Sequence, residues 1–384
     1  MIAPIVIVGS GLAGVTLARE LRKLDTAVPV VLIAADTADF YSKPMLSNGL
    51  ASGKTPAQLV SAPREALAAQ LGIEIRAGVT VDAIVPTARR IETSAGPVSY
   101  AQLVLALGAQ PIRLPIDGDG AGEVLSVNTL ADYARWRDRL LGARHVALLG
   151  AGLIGCEFAN DLSAAGIGVD VYDIAPQPLG RLLPPGAAAA FRTALEGAGI
   201  AFHFGVGIAR VERMGQGYRI TDSSGSVRKA DLVLSAVGLR PKTALAQGAG
   251  LRVGRGIGVD RLLATSAADI YALGDCAEVE GHLLPFVMPI MQQARALAKT
   301  LAGTPTAVHY PAMPVVVKTP ACPTVVCPPP PGSVGEWREE ACIDGVRAIF
   351  ADRTGKTLGF ALVGAIAAKE RQTWARQVPP LLAA

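Results

Sequence analysis

Ile5-Val6-Ile7-Val8-Gly9-Ser10-Gly11-Leu12-Ala13-Gly14 decides the fold, and Val146-Ala147-Leu148-Leu149-Gly150-Ala151-Gly152-Leu153-Ile154-Gly155 repeats it in mid-chain. Each stretch is four apolar residues, then G-x-G-x-x-G, then a helical pattern. Asp36 follows the first and Asp173 the second, each at the spacing of an acid that closes the next strand. One such stretch is a weak signal. Two, each in strand–turn–helix context with its own acid, predict two separate dinucleotide sites. A chain that holds two dinucleotides serves, as a rule, to pass electrons between them.

The composition agrees with that frame. The 384 residues suit two or three domains, and a hydrophobic content of 51% provides a large core and argues against disorder. Residues 1–18 carry no charge, but they lack the basic start of a secretory signal and hold glycines at dinucleotide spacing. The uncharged run 357–368 is too short for a bilayer core of about 30 Å. No membrane span is expected, and a reducing cytoplasm fits the odd count of five cysteines. Cys322 and Cys327 form C-x₄-C, read here as structural. The net charge of +4 without a dense Lys/Arg run makes nucleic acid a poor partner and leaves an acidic partner open. His145, His203, His282 and His309 show no metal spacing, so no metal is expected, and nothing resembles a Ser/His/Asp nucleophile set.

The coarse organisation is α/β. After the first glycine turn, a helix is expected over 12–24 and a buried strand over 30–33, then short strands near 73–76, 80–84 and 90–93 and a buried strand over 103–108. Prolines and glycines over 111–122 read as a linker. The second turn is followed by a helix to about Ala165, a strand over 169–172 and a buried run over 231–238. After Arg240-Pro241 the chain returns to the first unit. A strand over 270–275 ends in an acid, and a helix over 290–301 has Pro289 at its start. The remainder holds Pro328-Pro329-Pro330-Pro331 and a hairpin-like region over 337–359. The expected boundaries are 1–113 with 240–306 for a discontinuous first domain, 114–239 for the second and 307–384 for a small third.

The ordered pieces 9–14, Lys43-Pro44, 105–111, 150–157, 231–241 and 271–275 resemble the two-dinucleotide pyridine-nucleotide flavoprotein reductases. That resemblance implies two Rossmann-like domains of the glutathione-reductase kind with a small α+β C-terminal domain. It also implies noncovalent FAD in the first domain and NADH in the second. Within the family, residues 41–47, 156–162 and 317–323 resemble the branch that reduces rubredoxin, a small acidic electron carrier. A ferredoxin-reducing enzyme is the alternative, and an NADH-sensing flavoprotein scaffold is an alternative of another class. Two departures stand out. Leu107 occupies the place of a threonine common in the family, and the Trp-Ser-Asp-Gln stretch of the oxygenase-type ferredoxin reductases is missing.

By resemblance, Gly9, Gly11 and Gly14 would take the FAD pyrophosphate at a helix N-terminus, and Asp36 the FAD ribose. Asp275 would bind the ribityl chain, and Lys43, Pro44 and Ala106 would border the flavin. The helix after Pro289 would turn its positive end to the ring. Lys318 is expected to approach the flavin from the third domain. Gly150, Gly152 and Gly155 would cradle the NADH pyrophosphate, Glu157 would lie near the nicotinamide, and Asp173 would bind the adenosine ribose and repel the 2′-phosphate of NADPH. No side chain is a certain catalytic residue, because the flavin carries the chemistry. Plainer roles compete: surface turn acids for Asp36 and Asp275, surface lysines for Lys43 and Lys318, and a helix-start acid for Glu157.

Overall fold

The computed structural model describes residues 3–343 and 345–383. Met1, Ile2, Asp344 and Ala384, which bound or fall within the expected first and third domains, lie outside the described residues. The first apolar run, Ile5–Val8, lies between two parallel neighbours, with Ile5 opposite both Val30 and Gln102. Glu74–Ala77 continues the sheet beyond Val30–Ala34, and Ile270–Ala272 continues it beyond Gln102–Leu105. All five strands are parallel, so crossovers cover both faces, and Ile5–Val8 and Val30–Ala34 are buried along their whole length.

The same plan recurs in the second unit. Ile200–Phe204, Gly168–Asp173, His145–Leu149 and Leu232–Ser235 form a parallel sheet in that order. Each unit also carries a three-stranded antiparallel sheet: Val81–Val85, Arg90–Thr93 and Val98–Ser99 in the first, and Ile208–Met214, Gly217–Asp222 and Val227–Ala230 in the second. The chain leaves the first unit through Ala109–Pro111 and returns through Leu239–Pro241, and these two passages pair antiparallel.

In the third unit five strands form one antiparallel sheet: Val315–Val317, Thr324–Cys327, Thr357–Gly364, Gly345–Ala351 and Glu336–Cys342. The expected hairpin over 337–359 is thus one end of a larger sheet. Alternation along the central strands sends Val326, Ala361 and Val363 into a core shared with Ala187 and Phe191, on the Pro185–Gly197 helix of the second unit. Val325, Phe360 and Leu362 face the opposite way, onto Ile366 and Ala367 of the Ile366–Ala375 helix. The third unit is therefore sealed to the second by a common apolar core. All five cysteines are free thiols, with Cys322 and Cys327 buried. No helix among the described residues is long and apolar enough to cross a membrane.

Four expected boundaries differ, each for a local reason. The first helix is Leu12–Arg22, because the Asp25 carboxylate accepts from the Ala27 and Val28 amides and turns the chain. The strand expected over 103–108 stops at Leu105, and Gly108 turns the chain at φ +67°. The strand expected over 270–275 stops at Ala272, and Gly274, at φ +82°, opens a 3₁₀ turn that carries Asp275. The late helix begins at Val287, so Pro289 is its third residue. A first-turn position has no intrahelical acceptor for its N–H, so proline is tolerated there.

Candidate functional site

The site is built at the carboxyl ends of the two parallel sheets, where such folds open their crevices. Ile5–Val8 delivers Gly9 at φ +120°, and a Cβ there would lie 2.2 Å from the Ala106 carbonyl oxygen. A Cβ on Gly14 would lie 2.0 Å from the Gly9 carbonyl oxygen, so only glycine lets the helix approach the strand this closely. Gly11 is different: a Cβ on it would meet nothing within 4 Å. It caps the Leu12–Arg22 helix without a side-chain hydrogen bond, and no acid stands in the first turn. The result is an open cradle of free N–H groups at the positive end of a helix, which fits a pyrophosphate. Asp36 sits exposed at the end of Val30–Ala34, where its Oδ1 accepts from Ser10 Oγ and from the Ala38 amide, both at 3.1 Å. Ala106 is a buried wall behind the turn.

The second turn repeats this geometry. Gly150 and Gly155 sit against the Ala236 and Gly150 carbonyls, while Gly152 faces open space at an uncapped helix start. Asp173 is tied into that turn: its Oδ2 accepts from the Ala151 amide at 2.6 Å and its Oδ1 from the Ala175 amide at 2.8 Å. The two cradles fit the pyrophosphates of FAD and NADH.

Lys43 and Asp275 come together. Burial pushes the Lys43 ammonium below the usual lysine range; nearby Asp275 opposes the shift and Lys242 adds to it. Burial raises the Asp275 carboxyl, and Lys43 opposes that rise. Lys43 is thus no freely solvated surface lysine. It opens the 3₁₀ segment Lys43–Asn48, with Pro44 at its second position.

Glu157 is fully buried and is not a helix-start acid: it is the fifth residue of Leu153–Ala164. Ser47 Oγ donates to its Oε2 at 2.6 Å, the Lys318 amide donates to its Oε1 at 3.0 Å, and the Lys318 ammonium pairs with Oε2. Lys318 Nζ also donates to Ser47 Oγ at 2.8 Å. The Lys318–Glu157 ion pair and the Ser47 hydroxyl bonded to both therefore join all three units: Ser47 from the first, Glu157 from the second and Lys318 from the third.

Several residues in and beyond this junction had no role in the sequence reading. Asp161 and Asn160 lie one turn beyond Glu157 and are buried. Asp161 accepts from the Leu50 and Ala51 amides at 2.9 and 3.0 Å, while burial raises its carboxyl above the usual range. The available signal was three polar residues at i, i+3 and i+4 in a helix whose other polar residue, Ser163, stands in its last turn. Gln293 accepts from the Gly274 amide at 2.6 Å and donates to Tyr310 Oη at 2.7 Å, which fixes the turn that carries Asp275. His145 and His203 both meet Asp170, at 2.6 and 2.7 Å, across three strands. Among the described residues, no group of three or more His, Cys, Asp or Glu side chains is arranged to hold a metal ion.

Comparison with known proteins places this geometry. The rubredoxin-binding C-terminal domain model matches residues 307–378. The chain is 48% identical to a rubredoxin-NAD(+) reductase of Alcanivorax borkumensis and 49% identical to one of Acinetobacter baylyi, in each case over 99% of both chains. Among solved structures, a ferredoxin reductase from Rhodopseudomonas palustris superposes with a TM-score of 0.88 at 28% identity, covering 98% of this chain and 95% of that one. Residues 3–300 match the pyridine nucleotide-disulphide oxidoreductase model, and the chain belongs to that family.

Proposed function

We propose that the chain is a cytoplasmic, FAD-dependent NADH:rubredoxin oxidoreductase. The observation that carries this reading is that the segment resembling a rubredoxin-binding domain delivers Lys318 to Glu157 and Ser47, joining the carrier unit to both dinucleotide units. When bound, FAD supplies the conversion of one hydride donor into two single-electron deliveries. The chain's own residues bind, orient and tune. Gly9, Gly11 and Gly14 would hold the FAD pyrophosphate, Asp36 its ribose and Asp275 its ribityl chain, with Lys43, Pro44 and Ala106 bordering the ring. Gly150, Gly152, Gly155 and Asp173 would hold NADH. The unpaired N–H groups at the start of Val287–Leu301 would favour negative charge at the ring's N1 edge. Lys318, with Glu157, would place a second cation beside it. The domains that serve these roles are 1–113 with 240–306, 114–239 and 307–384.

The alternative carrier is a ferredoxin, favoured by the likeness to the Rhodopseudomonas enzyme. The purified protein should be yellow, release FAD on acid treatment and be reduced by NADH in a stopped-flow mixer. It should then turn over repeatedly with rubredoxin. Slow rubredoxin reduction at every ionic strength, beside fast reduction of a [2Fe–2S] ferredoxin, transfers the assignment to ferredoxin. A protein that takes hydride from NADH but turns over with neither carrier refutes both.

A further inference from the structure

Lysine is a poor positioner of charge: a flexible four-carbon stem separates its ammonium from the backbone. Lys318 stands just after the edge strand Val315–Val317, and the chain on both sides of it is pinned by other units. Glu157 Oε1 takes its amide at 3.0 Å, and Asn48 Nδ2 donates to its carbonyl oxygen at 2.9 Å. Three residues on, Asn160 Oδ1 accepts from the Ala321 amide at 3.1 Å. Asn48 is the last residue of Lys43–Asn48, next to Ser47, and Asn160 lies one turn beyond Glu157. The first two units thus hold the backbone of the third at the point where its cation enters.

We propose that Asn48 and Asn160 are positioning residues that aim the Lys318 ammonium between Ser47 and Glu157, and through it set the reduction potential of the flavin. The proposal rests on the reading that Lys318 faces the flavin. Asn48 Oδ1 is buried and finds no partner among the described residues. An amide that satisfies only one of its ends is a weak stabilising device, so the contribution of Asn48 lies in its bond to the Lys318 carbonyl.

The test uses the FAD-loaded enzyme and reads the flavin midpoint potential by equilibration with redox dyes. The variants are Lys318→Met, Asn48→Leu, Asn160→Ala and the double variant Asn48→Leu with Lys318→Met. FAD content and a thermal melt confirm that each is folded; Asn160→Ala carries the test if Asn48→Leu does not fold. Removing a cation from beside a group that gains negative charge lowers its potential, so Lys318→Met should shift the midpoint down. Asn48→Leu and Asn160→Ala should shift it in the same direction by less, and Asn48→Leu should add nothing once Lys318 is methionine. A purely structural asparagine would lower the melting temperature and leave the potential unmoved. If Lys318→Met lowers the potential and the folded asparagine variants do not, the positioning role is refuted. The same follows if the Asn48→Leu shift persists in full in the Lys318→Met background. If Lys318→Met itself leaves the potential unchanged, the flavin-facing reading of Lys318 fails and the positioning role fails with it.

Discussion

Asp173→Ala separates two jobs held by one carboxylate. The first is mechanical, since Asp173 accepts from the Ala151 amide at 2.6 Å and the Ala175 amide at 2.8 Å and so ties the second glycine turn to its strand end. Hydrogen bonds to a charged acceptor contribute about 1.5–3 kcal/mol each. Asp173 is half-buried, so water replaces part of that, and loosening the turn costs either nucleotide about 2 kcal/mol, or roughly 30-fold in binding. The second job is to read the 2′ position, where the carboxylate would accept from the ribose hydroxyl of NADH and repel the 2′-phosphate of NADPH. Two unit charges 4 Å apart repel by about 1 kcal/mol in water and about 4 kcal/mol at an effective dielectric of 20, which puts the like-charge contact with a 2′-phosphate near 1–3 kcal/mol. The two effects have opposite signs for NADPH. Asp173→Ala should therefore lower kcat/KM for NADH by at least roughly 30-fold, since the ribose contact is lost as well, while the NADPH value changes by less than about tenfold in either direction. The assay is steady-state turnover with both nucleotides at saturating carrier, normalised to bound FAD. If both values fall by the same factor, Asp173 anchors the turn and does not read the 2′ position.

Gly11→Val should leave the fold intact, because its Cβ position is open and its φ of −69° suits any residue. Filling the cradle breaks one or two charge-assisted bonds of about 1.5–3 kcal/mol each, so FAD should bind roughly 10–100-fold more weakly, measured by flavin titration of the folded protein. Gly152→Val should instead raise the NADH KM and leave FAD content unchanged. Burial raises the Asp275 carboxyl, so the folded chain binds that proton more tightly than the unfolded one. Its contribution to stability therefore falls as pH rises through that window, and at pH 7 the ionised group is a cost. Asp275→Asn should raise the melting temperature of the FAD-free protein and weaken FAD binding; a lower melting temperature refutes the sign. An acidic carrier should show a KM that rises with salt as the Debye length shrinks from about 30 Å at 0.01 M to about 10 Å at 0.1 M, while hydride transfer from NADH changes little. Lys43 is half-buried beside Asp275, which limits its part in that steering. The exposed Lys242, close enough to Lys43 to act on its charge, is better placed, and Lys242→Glu should raise the carrier KM and flatten its salt dependence.

What was legible in the sequence was what short-range spacing encodes. Gly9, Gly11 and Gly14 do three different things within six residues, and the same three tasks recur at Gly150, Gly152 and Gly155. Asp36 and Asp173 close the next strand of their own units, so they were visible too. The junction was not, because its partners are far apart in the chain: Ser47, Glu157 and Lys318 meet only when three units pack. Resemblance named Glu157 and Lys318, but no periodicity pairs them; Asn160 and Asp161 lay within the resembling stretch 156–162 without an assigned role, and Asn48 lay outside every motif. The turn at Gly274 looked like strand because Leu273 prolongs the apolar run of Ile270–Ala272, and the side-chain amide of Gln293 shows why the chain bends there. The third unit's strand order was hidden for a related reason: its last strand, Glu336–Cys342, is an exposed, charge-rich edge without the apolar alternation of the central strands.

The position of Ile270–Ala272 at the rim of the first sheet has a consequence for how the chain is made. Gln102–Leu105, its neighbour, leaves the ribosome about 167 residues earlier, and at about 5–20 residues per second that interval is roughly 8–33 s. Throughout it the nascent first sheet ends on an unpaired apolar strand, and the turn that carries Asp275 does not yet exist. The second unit, emerging between the two strands, is complete by then and has its own cradle. During translation, therefore, the second unit can mature before the first unit that precedes it in the chain, and the wait for Ile270–Ala272 exposes the edge of the first sheet that is most open to misassembly.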